Sequence, residues 1–141
     1  MKVKIVRIDK DLPLPEYQTE GSVAFDIYSR EDAIIEPGKV KSVASNFIIE
    51  VPVGYMLMIA ARSSLQKKGL RLANSVGIID QDFQGPTDEI RVLLHNFFDT
   101  STEIKRGDRI AQGLIVPIQK AEWDEVSEIK KDSRGGFGST G

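Results

Sequence analysis

Short apolar runs separated by turn residues recur along the whole chain, and this pattern predicts an all-β domain. Val3–Ile8 is rich in β-branched residues and predicts a first strand, and Ala24–Ser29 predicts a second. The short run Ala33–Ile35 ends at Glu36-Pro37-Gly38, where proline fixes one φ angle and glycine frees the next. Val40–Val51 then predicts one or two strands, whose second half places every other apolar residue on one face.

The second half of the chain continues the strand pattern. Tyr55–Ala61 is continuously apolar, which predicts a strand buried on both faces. Ile90–Phe98 and Ile110–Ile118 predict two further strands, whereas the polar run Arg62–Gly69 has room for one helical turn. The sequence shows no amphipathic helix of ordinary length and no internal repeat. So many short strands in a chain of this size favour a jelly roll or a compact, distorted β-barrel.

The composition changes at Lys130, near the C-terminus. Residues Lys130–Gly141 are rich in glycine and polar side chains, and Phe137 is their single aromatic residue. Such a segment cannot build a core of its own and is expected to be mobile by itself. The sequence therefore predicts a β domain over residues 1–129 and a flexible C-terminal arm over residues 130–141.

The overall charge limits the partners that the chain can bind. With 141 residues the chain suits one domain, and its net charge is −2. Non-specific DNA binding needs a basic surface, so this function class is disfavoured and no nucleic-acid partner is expected. Any polyanionic ligand must instead meet a local cluster of basic groups.

The absence of cysteine narrows the chemistry further. The sequence has no Cys and one His, so disulfides, thiolate metal sites and zinc sites of the usual kind are excluded. The single histidine, His95, follows two leucines in a predicted strand and is interpreted as structural. A metal ion, if used, should be a hard cation bound through oxygen. No apolar run approaches the roughly 20 residues that span a bilayer, and the N-terminus lacks the apolar core of a signal peptide, so we expect no membrane partner and a cytoplasmic protein.

Two candidate segments lie in the first half of the chain, one on a predicted strand and one directly after a strand. Asp26 stands between apolar residues on a predicted strand, either facing solvent or holding a hydrated metal ion. Arg62-Ser63-Ser64 comes directly after the apolar strand, and arginine offers a planar fork of donors that matches phosphate oxygens. The alternative is that Ser63 or Ser64 caps a helical turn, and the two roles are compatible.

Three more candidate segments lie in the second half. Asn74–Gly85 contains Asp80 and Asp82, which would share a face of an extended chain; the alternative is a solvated turn. Gln112 interrupts an apolar strand, and a buried amide must be hydrogen-bonded. Arg134–Gly141 combines a charge, hydroxyls and glycines whose backbone N–H groups can approach a phosphate closely, unless it is only a disordered tail.

In this order, the five segments resemble the motifs of the trimeric dUTPase family. The resemblance extends over Gly21–Gly141, nearly the whole chain, and five motifs in order are far more specific than any one of them. The segments that carry it are Ala24–Ser29, Arg62-Ser63-Ser64-Leu65, Gly77-Ile78-Ile79-Asp80 with Asn74 upstream and Phe83-Gln84-Gly85 downstream, Gly107–Gln112, and Gly135–Gly141.

The resemblance implies a fold, an assembly and an activity. It implies a β jelly roll that forms a homotrimer with active sites between subunits. One chain would supply the third motif, a second the first, second and fourth motifs, and a third its C-terminal arm, which would order over the nucleotide as a lid. The implied reaction is hydrolysis of dUTP to dUMP and pyrophosphate by water attack on the α-phosphate with Mg²⁺ as cofactor. This reaction limits uracil in DNA and supplies dUMP for dTMP synthesis.

The resemblance also implies residue roles. Asp80 would activate the attacking water and contact the sugar 3′-hydroxyl, and Asp26 would hold Mg²⁺ through water. The residues implied to bind the base and sugar are Asn74, Gly77, Ile78, Ile79, Phe83 and Arg91, in a hairpin tight enough to exclude the thymine methyl. The residues implied to hold phosphates are Arg62, Ser63, Ser64 and Gln112. The residues implied to close over the γ-phosphate and the base are Arg134, Phe137, Gly138 and Ser139.

The sequence departs from the family pattern at three places. Phe83 stands where tyrosine is usual, which keeps a ring for the deoxyribose but removes a hydroxyl. Pro86-Thr87-Asp88 resembles an insertion that lengthens the hairpin and brings a base contact from Arg91 into question. Arg134 directly precedes Gly135, whereas the family usually places this arginine two residues earlier. A subgroup of bacterial and phage members is similar in the last two respects.

Two alternative functions agree with parts of this pattern. The dCTP deaminases share the implied fold and resemble the chain around Arg62-Ser63-Ser64, but their chemistry needs a glutamate at the position that aligns with Leu93. Leucine cannot transfer protons, so deamination is disfavoured. A non-catalytic trimeric binding or regulatory protein is the other alternative, and the combined presence of Asp80, Gln112 and the Gly-rich arm speaks against it.

Overall fold

The computed structural model describes residues 1–136 and Gly138 and confirms an all-β domain. Eleven strands and one 3-10 turn, Leu65–Lys68, make up its regular structure over the described residues. The strands are β1 Ile5–Arg7, β2 Phe25–Tyr28, β3 Ala33–Ile35, β4 Val40–Ala44, β5 Phe47–Ile49, β6 Tyr55–Ala60, β7 Leu70–Leu72, β8 Gly77–Ile79, β9 Arg91–Asn96, β10 Thr102–Ile104 and β11 Arg109–Pro117.

Antiparallel pairing arranges these strands in small sheets around one core, as the jelly-roll prediction requires. The largest sheet has the order β2-β11-β6-β8, and a second has the order β4-β9-β7. Two-stranded sheets, β1-β5 and β3-β10, complete the set. Because consecutive strands of the chain are rarely neighbours in a sheet, distant sequence segments meet on one face.

Alternation along the strands separates the core from the outer surface. In β9 the side chains of Val92 and Leu94 are buried, whereas those of Arg91 and Leu93 are exposed. Phe47, Ile49 and Val51, which were predicted to share one face, all belong to the core cluster. The largest fully buried apolar side chains are Phe47, Ile27, Ile35, Leu57, Leu70, Ile90, Leu94, Ile104 and Ile110.

The strand prediction is wrong for β6 and does not include β7, β8 or β10. β6 alternates between buried and partly exposed side chains, because only its Leu57 and Ile59 are fully buried in the core. β10 was not predicted, since Thr102–Ile104 is short and contains one buried apolar residue, Ile104, so it has no readable period. Its strand character comes from antiparallel pairing with β3.

The chain leaves the domain after β11. Residues 118–136 form neither strand nor helix, and the side chains of Trp123 and Ile129 are 90% and 83% exposed. Over the described residues, no helix is both long and apolar enough to cross a membrane.

Candidate active site

The pairing of β2, β11 and β6 brings three candidate segments to one end of the largest sheet. Asp26 on β2 lies opposite Gln112 on β11, and Gln112 lies opposite Ala60 at the end of β6. Arg62 follows two residues after that strand end. Strand pairing, rather than local sequence, therefore brings together three segments that are up to 86 residues apart along the chain.

Asp26 is buried, so the interpretation in which it faces solvent is wrong. The residue is 6% exposed, and both of its carboxylate oxygens accept hydrogen bonds from guanidinium groups. Nε of Arg62 donates to Oδ1 at 2.7 Å, and Nη1 of Arg109 donates to Oδ2 at 3.1 Å. Two cations and one anion leave one positive charge, a local basic cluster of the kind that a polyanion requires on a chain with net charge −2.

Polar groups around Arg62 orient it further. Its Nη1 donates to Oγ of Ser64 at 3.3 Å, and Nε2 of Gln112 donates to the carbonyl oxygen of Ala61 at 2.9 Å. The prediction that the Gln112 amide is hydrogen-bonded is thus confirmed. Ser64 occupies the position before the 3-10 turn, yet its side chain makes no capping hydrogen bond. Ser63 is exposed and lies between Arg62 and Ser64 in sequence, whereas the Ser64 hydroxyl is the one that contacts the Arg62 guanidinium.

The 3-10 turn that follows is fixed at its end by a glycine. Gly69 has φ of +71°, and a Cβ atom there would lie 2.3 Å from the ring of Phe98. Glycine alone therefore lets the ring pack over the turn. Lys68 at the end of the turn donates from Nζ to Oδ2 of Asp108 at 3.0 Å. Burial raises the pKa of Asp108, but the N–H of Lys105 and the Lys68 ammonium outweigh it and lower that pKa.

The third motif lies at the opposite edge of the same sheet. β8 pairs with β6, and together with β9 it encloses a small cavity of about 110 Å³. The candidate base-binding residues that line this cavity are Asn74, Gly77, Ile78, Ile79 and Arg91. Leu93 also lines it, where proton transfer in a deaminase would need a glutamate.

The guanidinium of Arg91 is directed mainly toward β4. Its Nε donates to Oγ of Ser42 at 2.8 Å, its Nη2 donates to the Ser42 carbonyl at 2.9 Å, and Nη2 also pairs with Glu31 at 3.3 Å. The aliphatic part of the Arg91 side chain therefore borders the cavity, while its guanidinium is held by Ser42 of β4 and by Glu31 in the segment after β2.

Asp80 follows β8 directly and is exposed. It lines a cleft of about 350 Å³ together with Gln81, Asp82 and Tyr55. The chain turns here, with the N–H of Phe83 donating to the Asp80 carbonyl at 3.4 Å, so the extended arrangement considered for Asp80 and Asp82 is replaced by a turn. The Phe83 ring is partly exposed. A carboxylate on an open turn is accessible to a nucleotide and to water.

The insertion Pro86-Thr87-Asp88 forms a closed turn, and a largely buried ion pair follows it. The Gly85 N–H donates to Oδ2 of Asp88 at 2.7 Å, which closes the turn around Pro86. Glu89 then accepts from Nε and Nη2 of Arg30, both at 2.7 Å, and from the Asn46 N–H at 2.9 Å. Burial raises the pKa of Glu89, but the bonds from Arg30 and Asn46 outweigh it and hold that pKa below its ordinary value.

One chain does not bring Asp80 to the Asp26 cluster. Three strand intervals separate β2 from β8, and Asp80 lies four residues along the strands from the level of Ala60. With about 4.8 Å between strands and about 3.4 Å per residue, the backbone positions of the two residues are about 20 Å apart along the sheet. The candidate residues thus form two half-sites at opposite edges of one sheet.

The arm is only partly described. Arg134 is exposed, and the Gly135 N–H donates to Oγ of Ser133 at 3.1 Å. Gly135 and Gly138 have φ of +78° and +91°, which glycine adopts readily. The candidate residues Phe137 and Ser139 lie outside the described residues.

The donors present fit a hard cation that arrives with a phosphate ligand. Residues 1–136 and Gly138 contain no group of three or more His, Asp or Glu side chains that could hold a metal ion alone. Asp26 supplies carboxylate oxygens that retain lone pairs beside the two guanidinium groups. Mg²⁺ is typically held by one or two carboxylates, waters and substrate phosphates, so this donor set suits it.

Sequence reasoning missed Arg109 as a member of the cluster. Simple alternation places Arg109 and Gln112 on opposite faces of β11, because they are three residues apart. The structure places both on the face of Asp26. The signal that the sequence offered was that Arg109 lies inside the fourth motif, but no feature of the sequence linked this position to Asp26.

Comparison with known proteins gives a consistent result. The family model described as dUTPase matches residues 10–141. A Deoxyuridine 5′-triphosphate nucleotidohydrolase from Nautilia profundicola is 42% identical over 144 residues, covering 100% of this chain and 99% of its own length. A protein of the same name from Helicobacter pylori strain J99 is 40% identical, with 100% and 97% coverage.

Solved structures show the same similarity. A Staphylococcus bacteriophage 80alpha dUTPase with dUpNHpp superposes with a TM-score of 0.87 at 26% identity, covering 99% of this chain and 98% of that one. A dUTPase variant from phage phi11 of S. aureus, whose structure shows how a structural Mg(II) ion is coordinated, gives a TM-score of 0.83. Its identity is 20%, with 93% and 100% coverage, so this second likeness concerns the fold alone.

Proposed function

Given that the chain belongs to the dUTPase family and is an enzyme that hydrolyses dUTP, we propose that it releases dUMP and pyrophosphate at sites assembled between its subunits. Each site would combine the Asp26 cluster of one chain with Asp80 of another. The assembly would be a homotrimer, as the resemblance of the five motifs implies.

One observation supports the shared site above all others. The phosphate-binding candidates converge on Asp26, whereas Asp80 lies about 20 Å away across the sheet, as the strand spacing requires. A triphosphate cannot contact both half-sites of one chain with its α-phosphate at Asp80. In an oligomer with closed symmetry, the Asp26 half-site of each chain would lie next to the Asp80 half-site of a neighbouring chain, so that one nucleotide could contact both.

The chemistry assigned to the first half-site is positioning and charge neutralisation. The side chains assigned to the phosphates are Arg62, Ser63, Ser64 and Gln112, which lie around the Asp26 cluster. Guanidinium and hydroxyl donors suit phosphate oxygens and stabilise the negative charge that develops during attack. The cofactor would be Mg²⁺, held by Asp26 through water, and when bound it supplies neutralisation of the triphosphate charge.

The second half-site is assigned to the base, the sugar and the water. The cavity between β8 and β9 would take uracil against Asn74 and the backbone of Gly77–Ile79, with Phe83 against the deoxyribose. Asp80 would accept a proton from the water that attacks the α-phosphorus. Its exposure on an open turn leaves it free to meet a substrate held mainly by the neighbouring chain.

The arm would complete the site from a third chain. We assign residues 1–129 to the catalytic domain and residues 130–141 to a lid that closes over the nucleotide. Arg134, Phe137, Gly138 and Ser139 would cover the γ-phosphate and the base. The segment before the arm supports this assignment, because it forms no strand or helix and exposes Trp123 and Ile129.

Pyrophosphate release from purified protein tests the proposal directly. With Mg²⁺, the enzyme should release pyrophosphate from dUTP and scarcely from dCTP, dTTP or UTP, because the base cavity excludes the other rings and Phe83 packs against deoxyribose. Ammonium release from dCTP, measured in parallel, should be absent because Leu93 cannot transfer protons. Equal pyrophosphate release from all four nucleotides would contradict the assignment.

A further inference from the structure

The turn that carries Asp80 is attached to the sheet by one side chain. Nε2 of Gln81 donates to the backbone carbonyl oxygen of Tyr55 at 2.9 Å, the ordinary length of such a bond. Tyr55 is the first residue of β6, the strand that pairs with β8. Among residues 1–136 and Gly138, this is the only side-chain hydrogen bond that joins residues 80–84 to the rest of the domain.

The Gln81 amide takes the place of a missing bond between strands. The register of β6 and β8, extended by two residues, would put Gln81 opposite Tyr55, but the chain leaves β8 after Ile79 and turns. On the other side of β6, the residue opposite Tyr55 is Pro117, which has no backbone N–H to donate. The Gln81 side chain therefore supplies a donor that the Tyr55 carbonyl lacks from the strand on either side.

The position of Asp80 depends on this attachment. Its carboxylate makes no hydrogen bond or ion pair within the described part of the chain, so the backbone of the turn alone places it. Backbone bonding within the turn is weak, because the Phe83 N–H lies 3.4 Å from the Asp80 carbonyl. Since Gln81 directly follows Asp80, the bond from its side chain to β6 limits how far the Asp80 backbone can move.

Such a limit matters for the role assigned to Asp80. A general base must lie within hydrogen-bond reach of the water whose proton it accepts. A misplacement of about 1 Å can cost about 100-fold in rate, even when the change lies away from the reacting atoms. An exposed carboxylate on a weakly bonded turn therefore needs a fixed point close by.

We propose that Gln81 is a positioning residue for Asp80. Its amide holds the turn against the first residue of β6 and so keeps the Asp80 carboxylate in reach of the water that attacks the α-phosphorus. Gln81 acts through Asp80 and touches no reacting atom. This inference rests on the proposed function, because it takes Asp80 to be the base.

Gln81→Met tests this role. Methionine keeps the length and flexibility of glutamine but has no N–H to donate, so the turn loses its attachment. The kcat for dUTP should fall about 10- to 100-fold, because the base is no longer held in place. The affinity for dUpNHpp with Mg²⁺, measured by isothermal titration calorimetry, should stay close to that of wild type, because other residues hold the base and the phosphates. The thermal unfolding midpoint should change little, since water in the open cleft can replace the lost donor.

Gln84→Met is the matched control. Gln84 lies three residues further along and lines the same cleft, but its amide makes no hydrogen bond with the described residues. The same substitution there leaves the attachment to Tyr55 intact, so kcat should stay close to wild type. Equal losses from the two substitutions would mean that any change in the cleft slows the reaction, and would overturn the inference.

A double variant separates positioning from a general loss of structure. In a chain that already carries Asp80→Asn there is no base to place, so adding Gln81→Met should leave the residual kcat unchanged. A merely structural role would lower kcat by the same factor in both backgrounds, and that result would overturn the inference.

The remaining outcomes distinguish the inference from the proposed function. A wild-type kcat in Gln81→Met would overturn the inference and leave the proposed function intact. If the wild-type protein releases no pyrophosphate from dUTP, or if Asp80→Asn turns over normally, the proposed function fails and the inference fails with it. If Gln81→Met does not fold, Gln81→Asn decides, because its amide is one methylene further from Tyr55. A fall in kcat that disappears in the Asp80→Asn background then supports the inference, and a wild-type kcat overturns it.

Discussion

Asp26 and Asp80 occupy opposite edges of one four-stranded sheet, and strand spacing places them about 20 Å apart. The first is buried between two guanidinium groups, whereas the second is exposed on a turn beside an open cleft. Each chain thus presents one half-site that is internally organised and one that is open to solvent. This arrangement makes the subunit composition of a working site testable.

Mixing two inactive variants should restore activity. Asp26→Asn and Asp80→Asn should each be nearly inactive alone, but subunits refolded together can join an intact Asp80 of one variant to an intact Asp26 of the other. Random mixing of equal amounts should restore about a quarter of the wild-type sites, since each site draws two independent half-sites. Pyrophosphate release from the mixture measures this recovery. Activity no higher than that of the separate variants would show that both carboxylates act from one chain.

Asp80→Asn should separate binding from turnover. Asparagine keeps the size of the side chain but accepts a proton poorly, so dUpNHpp should still bind while kcat falls about 100- to 10,000-fold, the usual contribution of a general base. Asp82→Asn is the matched control, because Asp82 lines the same cleft two residues away. It should keep kcat within a few-fold of wild type. A near-normal kcat for Asp80→Asn would remove Asp80 as the base.

The strands were predictable where local pattern determines them. β2, β3, β6, β9 and β11 all lie within runs of apolar and β-branched residues that the sequence marks plainly. The Gln112 amide was predicted to be hydrogen-bonded because it interrupts an apolar strand, and it does donate to the Ala61 carbonyl, although the residue is only partly buried. β10 escaped prediction because its three residues carry no period and its partner, β3, lies some 70 residues away along the chain, as the register shows.

The contacts and the strand irregularity that the sequence could not supply are long-range. Arg30 and Glu89 are 59 residues apart, and Arg106 and Asp9 are 97 apart, so nothing local connects them. The β-bulge at Ile110 could not be predicted from the sequence either, because an isoleucine fits either face of a strand. Only the pairing of β11 with β2 shows that Ile110 is an extra residue without a partner. The placement of Arg109 follows from that bulge.

Removing the arm should leave the domain folded but nearly inactive. A chain that ends after Lys131 loses Arg134 and the Gly-rich segment, while every strand and the core remain. The thermal unfolding midpoint and the oligomeric state should match wild type, whereas kcat/KM for dUTP should fall at least about 10-fold if a lid excludes water and contacts the γ-phosphate. The matched control is Lys131→Ala in the full chain, which should stay close to wild type. Full activity in the shortened chain would exclude the arm as a lid.

The Glu89–Arg30 pair should make stability depend on pH in a defined range. The folded state holds the pKa of Glu89 below its ordinary value of 4.5, because the bonds from Arg30 and Asn46 outweigh the effect of burial. The stabilisation is therefore fully present above pH 4.5 and is lost as the pH falls through the lower folded pKa. Glu89→Gln should lower the free energy of unfolding at neutral pH by roughly 1–3 kcal/mol, the cost of an unsatisfied or weakened buried hydrogen bond.

Urea unfolding at a fixed protein concentration measures this effect, because the stability of an oligomer depends on concentration. The gap between wild type and Glu89→Gln should be constant above pH 4.5 and should narrow below it, since protonation removes the same charge from the wild-type pair. Glu50→Gln is the matched control: Glu50 also pairs with a cation, but its side chain is 48% exposed and that of Lys4 is 82% exposed. Water screens such a pair, so its loss should change stability little at any pH. A gap for Glu89→Gln that does not narrow in acid would mean that packing, not the charge of Glu89, holds the end of the insertion in place.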